Sequence, residues 1–242
     1  MATIAENLTQ VRVRIDAACR AAGRNASTVQ LLAVSKTFDA QAVLAAARAG
    51  QTAFGENYLQ EAVAKMAELQ ALAGPQAQAL SWHCIGPVQS NKTRLVAEHF
   101  AWLHTLDRLK LAERLSSQRP AHLPALQVCL QVNVDGGANK SGVPPQEALA
   151  LARSVAQLPG LCLRGVMSIP EPAPDCAAQY ALHQRAAQVF ADIRASGLPG
   201  LERFDTLSMG MTDDLEAAIA AGSTLVRVGS GIFGRRPAAT AA

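Results

Sequence analysis

Along most of the chain, short runs of Val, Leu and Ile alternate with longer amphipathic, alanine-rich segments. The apolar runs read as strands over 30–35, 52–57, 80–86, 101–106, 126–134, 161–169, 204–210 and 224–230. Helical patterning falls between them, near 39–49, 57–72, 90–99, 107–118, 145–157, 175–196 and 212–221, after an opening helix near 3–22. Alternation of this kind implies parallel strands joined by helical crossovers. Eight such units predict an α/β fold, a single closed (β/α)8 TIM-type barrel. The rival, a doubly wound open sheet, usually carries a Gly-rich turn after its first strand, and "VSKTFDA" contains no glycine. The stretch "GIFGRRPAATAA" after the eighth strand is too short for a covering helix, so the N-terminal helix is expected to take that place. No linker or repeat divides the chain, which reads as one domain over 1–236 with a disordered Ala-rich tail over 237–242.

Composition narrows the function classes. With 242 residues, half of them hydrophobic but only 4% aromatic, the core must be filled mainly by Ala, Leu and Val. The net charge of +3 suits an anionic small ligand and, without a clustered patch, does not argue for nucleic acid. The five cysteines (Cys19, Cys84, Cys129, Cys162 and Cys176) form no C-x-x-C pair and point to reduced thiols in a cytoplasmic protein. The opening "MATIAENLTQVRVRIDAACR" is charged throughout, unlike a signal peptide. No run of about 18 uncharged apolar residues predicts a membrane span.

In a parallel barrel the active site lies at the C-terminal ends of the strands, so polar residues there carry the candidate chemistry. Lys36 ends the first apolar run in "LLAVSKTF". Its position alone leaves two readings: a stem that snorkels to solvent, or an amine activated by desolvation to form a Schiff base with an aldehyde. In "LVRVGSGIFGRR", Gly229, Ser230 and Gly231 can expose successive backbone N–H groups. Ser208 and Gly210 in "TLSMGMTDD" end the seventh run in small residues, and phosphates often dock after strands seven and eight. Asp213 and Asp214 read as caps of the following helix.

Arg227 shares a strand face with Leu225; pointing inward, it either donates to a cofactor ring nitrogen or pairs with a neighbouring acid. Asn57 either orients a ligand or caps a helix, Ser168 is an inward hydroxyl, and His83 reads as a satisfied core group. "VNVDGGANKSG" is not a P-loop, because Val134 and Asn139 stand where glycines are required.

The stretches "AVSKT", "FGENYLQEA", "WHCIGPVQSNK", "VNVDGGANKSG", "GVMSIPEP" and "LSMGMTDDLEAAIAAGSTLVRVGSGIFGRR" follow one another over roughly residues 31–236. Taken together, they resemble the pyridoxal phosphate homeostasis protein family. The resemblance implies a barrel like the N-terminal domain of alanine racemase, a fold-type III barrel without the C-terminal β domain, binding pyridoxal 5′-phosphate (PLP). Lys36 matches the lysine that carries the internal aldimine and Arg227 the arginine near the pyridine nitrogen. Ser208, Gly210, Gly229 and Ser230 match the phosphate region, and Asn57 and Ser168 match pocket positions. Cys84 and Pro87 depart from the family pattern "WHFIGxLQxNK".

The reading favoured is a monomeric PLP carrier without robust catalysis of its own, delivering the cofactor to PLP-dependent apoenzymes. An arginine at the ring nitrogen disfavours ring protonation and weakens the electron sink. A PLP-dependent amino-acid racemase is the alternative; it needs an acid/base group on each face of the ring, and the only tyrosines are Tyr58 and Tyr180. A barrel enzyme acting on another phosphorylated substrate is a third class. Lys140, Arg235 and Arg236 are candidates for a secondary anion site that assists transfer.

Overall fold

The computed structural model of the protein describes residues 2–136 and 141–234. Lys140, Arg235, Arg236 and the 237–242 tail therefore lie outside the described residues. Eight parallel strands close into a barrel in sequence order. They are β1 (Gln30–Val34), β2 (Ala53–Glu56), β3 (Ser81–Cys84), β4 (Trp102–Leu106), β5 (Leu126–Gln131), β6 (Leu161–Met167), β7 (Thr206–Ser208) and β8 (Leu225–Val228). β1 closes the ring on β8, pairing Leu32 with Arg227 and Ala33 with Val228. The outer layer comprises α1 (Ile4–Ala21), α2 (Ala40–Arg48), α3 (Leu59–Ala73), α4 (Pro75–Gln78), α5 (Thr93–His99), α6 (Leu109–Gln118), α7 (Pro145–Val155), α8 (Cys176–Ala195), α9 (Leu215–Ala220) and α10 (Ser230–Phe233).

Each expected strand is present; all but β4 are trimmed at the end, where the chain turns over the barrel mouth, and five begin one or two residues later than expected. β7 is shortest because Gly210 adopts φ +91, and a Cβ there would collide with Ala218. Short helices α4 and α10 were not expected, since four residues are too few to show a helical period.

The N-terminal helix covers the closing seam, as the sequence suggested. A capping box starts α1: the Glu6 amide donates to Thr3 Oγ1, and the Thr3 amide donates to the Glu6 carboxylate. Asn7 Nδ2 donates to Ile232 O of α10 at 2.9 Å. Arg14 forks onto Glu216 of α9 and donates to Thr212 O at 3.0 Å, so α1 also braces the β7–α9 loop.

Two apolar clusters divide the core. The large one lies between strands and helices and includes Leu8, Val11, Phe54, Trp82, Leu103 and Val226. The small one, inside the barrel, is Leu32, Ala53 and Leu225 with Ile85 against them. Leu225 in the inner cluster shows which face of β8 points inward, and alternation puts Arg227 on it. The inner filling is therefore only partly apolar, and buried polar side chains occupy much of the rest. Among the described residues, no helix is long and apolar enough to cross a membrane.

Candidate ligand pocket at the barrel mouth

Alternation along β1 turns Leu32, Val34 and then Lys36 to one side, with Lys36 at the lip of the barrel. The chain then reverses sharply: Phe38 N donates to Ser35 O at 3.1 Å, and Thr37 takes φ +70. A β-branched residue in that region is strained, and it is held there because its amide donates to Glu61 Oε1 of α3 at 2.7 Å.

Behind the turn lies a polar cluster, buried at Glu56 and Lys65 and reaching solvent at Glu61. Lys65 Nζ donates to Glu56 Oε1 at 2.8 Å, to Ser35 O at 2.9 Å and to Glu61 Oε1 at 3.1 Å. Ser35 Oγ also donates to Glu56 Oε1, at 2.7 Å. Burial pushes the Glu56 carboxyl above its ordinary range, and the Lys65 ammonium opposes that shift. This network ties the Lys36 turn to β2 and α3.

Lys36, Asn57, Arg227, Gly229 and Ser230 line one cavity of about 340 Å³, walled on its apolar side by Val34, Phe38, Ile85 and Ile169. Asn57 Oδ1 is buried without a hydrogen-bond partner, and so is the hydroxyl of Ser168. Orphaned polar atoms of this kind are costly unless a ligand or water answers them. At the strand-eight end, the amides of Ile232 and Phe233 return to Gly229 O at 2.9 Å. The first-turn amides of Ser230 and Gly231 have no intrahelical acceptor. Ser230 Oγ sits 3.3 Å from Thr212 Oγ1, joining the loops after strands seven and eight at the cavity rim.

Arg227 is 4% exposed. Its Nη1 donates to Ser208 Oγ at 2.8 Å and its Nη2 to Ser168 O at 2.9 Å. Among the described residues no carboxylate makes an ion pair with it, so the salt-bridge reading is not what the structure contains. Burial pulls its pKa down to about 10, which leaves it a cation at neutral pH.

Three expected residues fall outside the cavity wall. Ser208 is fully buried deeper in the barrel, with its Oγ between Arg227 and His104 Nδ1 at 2.9 Å. Gly210 accepts the Arg227 amide through its carbonyl at 3.0 Å. Ser168 meets Arg227 through its backbone oxygen. These residues hold the arginine in place. Asp214 occupies the N-cap position of α9, yet its side chain makes no cap bond to that helix. Oδ1 accepts from Met211 N at 2.6 Å and Oδ2 meets His183 Nε2 at 3.0 Å, so it folds the loop against α8.

Sequence reasoning missed His104 and the Glu56–Lys65–Glu61 cluster. The spacing of Glu61 and Lys65, i and i+4 on one helix, was a usable signal for the latter. Nothing local marked His104, whose partners lie on other strands. His83 is a satisfied core group as expected, bonded to His104 and Ser81.

The family model described as "Alanine racemase, N-terminal domain" matches residues 7–237. The pyridoxal phosphate homeostasis protein of Pseudomonas aeruginosa is 56% identical over 236 residues, spanning 98% of this chain and 97% of that protein. Its counterpart in Escherichia coli K12 is 50% identical, with 98% of each covered. Among solved structures, PipY of Synechococcus elongatus with PLP bound superimposes with a TM-score of 0.81 at 38% identity, covering 96% of this chain and all of that one, 100%.

Proposed function

The chain belongs to the pyridoxal phosphate homeostasis protein family, and we propose that it binds PLP at the barrel mouth, held covalently through the Lys36 amine, and serves PLP homeostasis without robust catalysis of its own. When bound, PLP supplies an aldehyde able to condense with an amine, a phosphate and a pyridine nitrogen. The observation that carries the reading is the convergence of Lys36, Arg227 and the orphaned Asn57 oxygen on one cavity of about 340 Å³.

The residues present fit the group. Lys36 is the amine at the lip. Gly229, Ser230 and Thr212 offer amides and hydroxyls suited to a phosphate. Arg227 makes no ion pair with a carboxylate among the described residues, feels the Asp214 carboxylate from further off, and offers N–H donors toward a ring nitrogen. Because an arginine stays protonated, it would donate to that nitrogen and keep it from gaining a proton, which would restrain carbanion chemistry. The cavity lining contains no tyrosine or histidine among the described residues. Tyr58 and Tyr180 are 53% and 40% exposed and stand elsewhere.

Recipient apoenzymes, a cytoplasmic location and a monomeric state belong to the same proposal. The five free cysteines fit a reducing compartment. Absorption titration with PLP, run beside an assay of D- and L-alanine interconversion, tests it. The expected result is a new visible band in the wild type, absent in Lys36→Ala, with no turnover. Robust turnover lost in Lys36→Ala would favour the racemase, and absence of the band in the wild type would overturn covalent attachment at Lys36.

A further inference from the structure

The interior of a barrel of this type is ordinarily filled by branched apolar side chains. Here a string of polar side chains crosses it. Ser81 at the base of β3 meets His83 Nε2 at 3.1 Å, and His83 Nδ1 meets His104 Nε2 at 2.9 Å. His104 Nδ1 meets Ser208 Oγ at 2.9 Å, and Arg227 Nη1 reaches the same oxygen at 2.8 Å. His83, His104 and Ser208 are fully buried, whereas Ser81 is half-buried at the far end. The His83 ring stacks on Trp102 at 5.1 Å, which fixes its plane.

We propose that Ser81, His83, His104 and Ser208 form a one-directional hydrogen-bonded chain, with both imidazoles as the Nε2–H tautomer, that positions Arg227 toward the ring of the bound ligand. The last clause rests on the PLP reading above; the chain itself does not.

The direction follows from counting protons. Arg227 can only donate, so Ser208 Oγ accepts from it. If Ser208 gives its own proton to His104 Nδ1, then His104 Nε2–H donates to His83 Nδ1. His83 Nε2–H then donates to Ser81 Oγ, and every proton from Arg227 to that oxygen has an acceptor, with the Ser81 hydroxyl left at the half-buried end. The reverse order would aim two donors at Ser208 Oγ and leave its hydroxyl proton without an acceptor at a fully buried site. A buried hydroxyl proton left without an acceptor is costly. A charged imidazole is worse still. Burial takes His83 down to about 3, and it takes His104 well below its ordinary range with help from His83 and Arg227.

The forward order also strengthens the grip on Arg227. A hydroxyl that donates to an imidazole becomes a better acceptor for the guanidinium. His104 thus acts through Ser208, as a positioning residue. The string itself adds no countercharge beside the cation.

The first test is long-range 1H–15N correlation of the imidazole rings in the ligand-free wild type at neutral pH. Both rings are expected as Nε2–H; Nδ1–H at either one overturns the chain. The second compares PLP binding and the pH dependence of the bound absorption band in wild type, His104→Asn and His104→Leu. Asn keeps an acceptor toward Ser208, and Leu removes it. Leu is expected to weaken PLP binding about tenfold and to shift the band, as loss of one well-placed hydrogen bond allows. Asn should stay within about threefold of the wild type on the same scale. Wild-type affinity and band in the Leu variant would overturn the positioning role. Absence of PLP binding by the wild type would instead sink the functional reading, leaving the tautomer result to stand by itself.

Discussion

Arg227 and Lys65 are both cations sealed inside the protein, 4% and 5% exposed, but their surroundings differ in kind. Lys65 lies between barrel and helix layer, bonded to the carboxylates of Glu56 and Glu61 and to a carbonyl. Arg227 lies within the barrel and touches a hydroxyl and a carbonyl, both neutral. A cation answered by carboxylates is spent on structure, and here it fixes the turn that presents Lys36. A cation hydrogen-bonded only to neutral acceptors, with the Asp214 carboxylate acting on it from further off, keeps more of its field for whatever enters the cavity. The same contrast separates the two networks behind them, one charged and self-neutralising, the other a string of uncharged hydroxyls and imidazoles.

The largest effect on stability should come from breaking the charged network. Lys65→Met strands Glu56 in the interior, and a loss of about 3–5 kcal/mol is expected in urea denaturation. Adding Glu56→Gln to that variant should restore much of it; a small effect of Lys65→Met alone would mean the pair is not buried as described.

Acid sharpens the comparison from the other side. His83 and His104 stay neutral in the fold, His83 down to about pH 3, while an unfolded imidazole takes up a proton near 6.5. The unfolded chain therefore binds more protons, and stability should fall as pH drops below about 6.5 toward 3. The slope approaches about 1.4 kcal/mol per pH unit for each ring. Removing both imidazoles should flatten the thermal stability profile between pH 6.5 and 5, and an unchanged profile would contradict their burial as neutral groups.

The smallest effect on stability belongs to the cation kept for the ligand. Arg227→Gln should cost less ligand-free stability than Lys65→Met, because no buried carboxylate is stranded by it. Yet it should weaken PLP binding at least about tenfold, a loss of roughly 1.4 kcal/mol. Comparable losses of stability in Arg227→Gln and Lys65→Met would erase the distinction drawn here.

Much of this arrangement was legible in the chain. Barrel strands covered by helices appear as apolar runs; Lys36 and Asn57 stood out as polar residues where such runs end, and Arg227 as a charge within one. The period of two also placed Arg227 beside Leu225, inside. It cannot report depth, however. Ser208 and Ser230 looked alike as small polar residues near the ends of β7 and β8, yet one is sealed against His104 and the other lies at the rim. The His83–His104 contact joins two neighbouring strands whose apolar runs gave no sign of it. That Arg227 meets a hydroxyl and a carbonyl and, among the described residues, no carboxylate in an ion pair is likewise visible only in the closed barrel.

Lys36 and Lys65 flank the same residue, Ser35, one on the chain and one through its carbonyl. Borohydride reduction of the PLP-loaded protein, followed by peptide mapping, distinguishes them directly. The account predicts a pyridoxyl mass on Lys36 and an unmodified Lys65. A label on Lys65 or on another lysine, or no label on a protein that binds PLP, would contradict it.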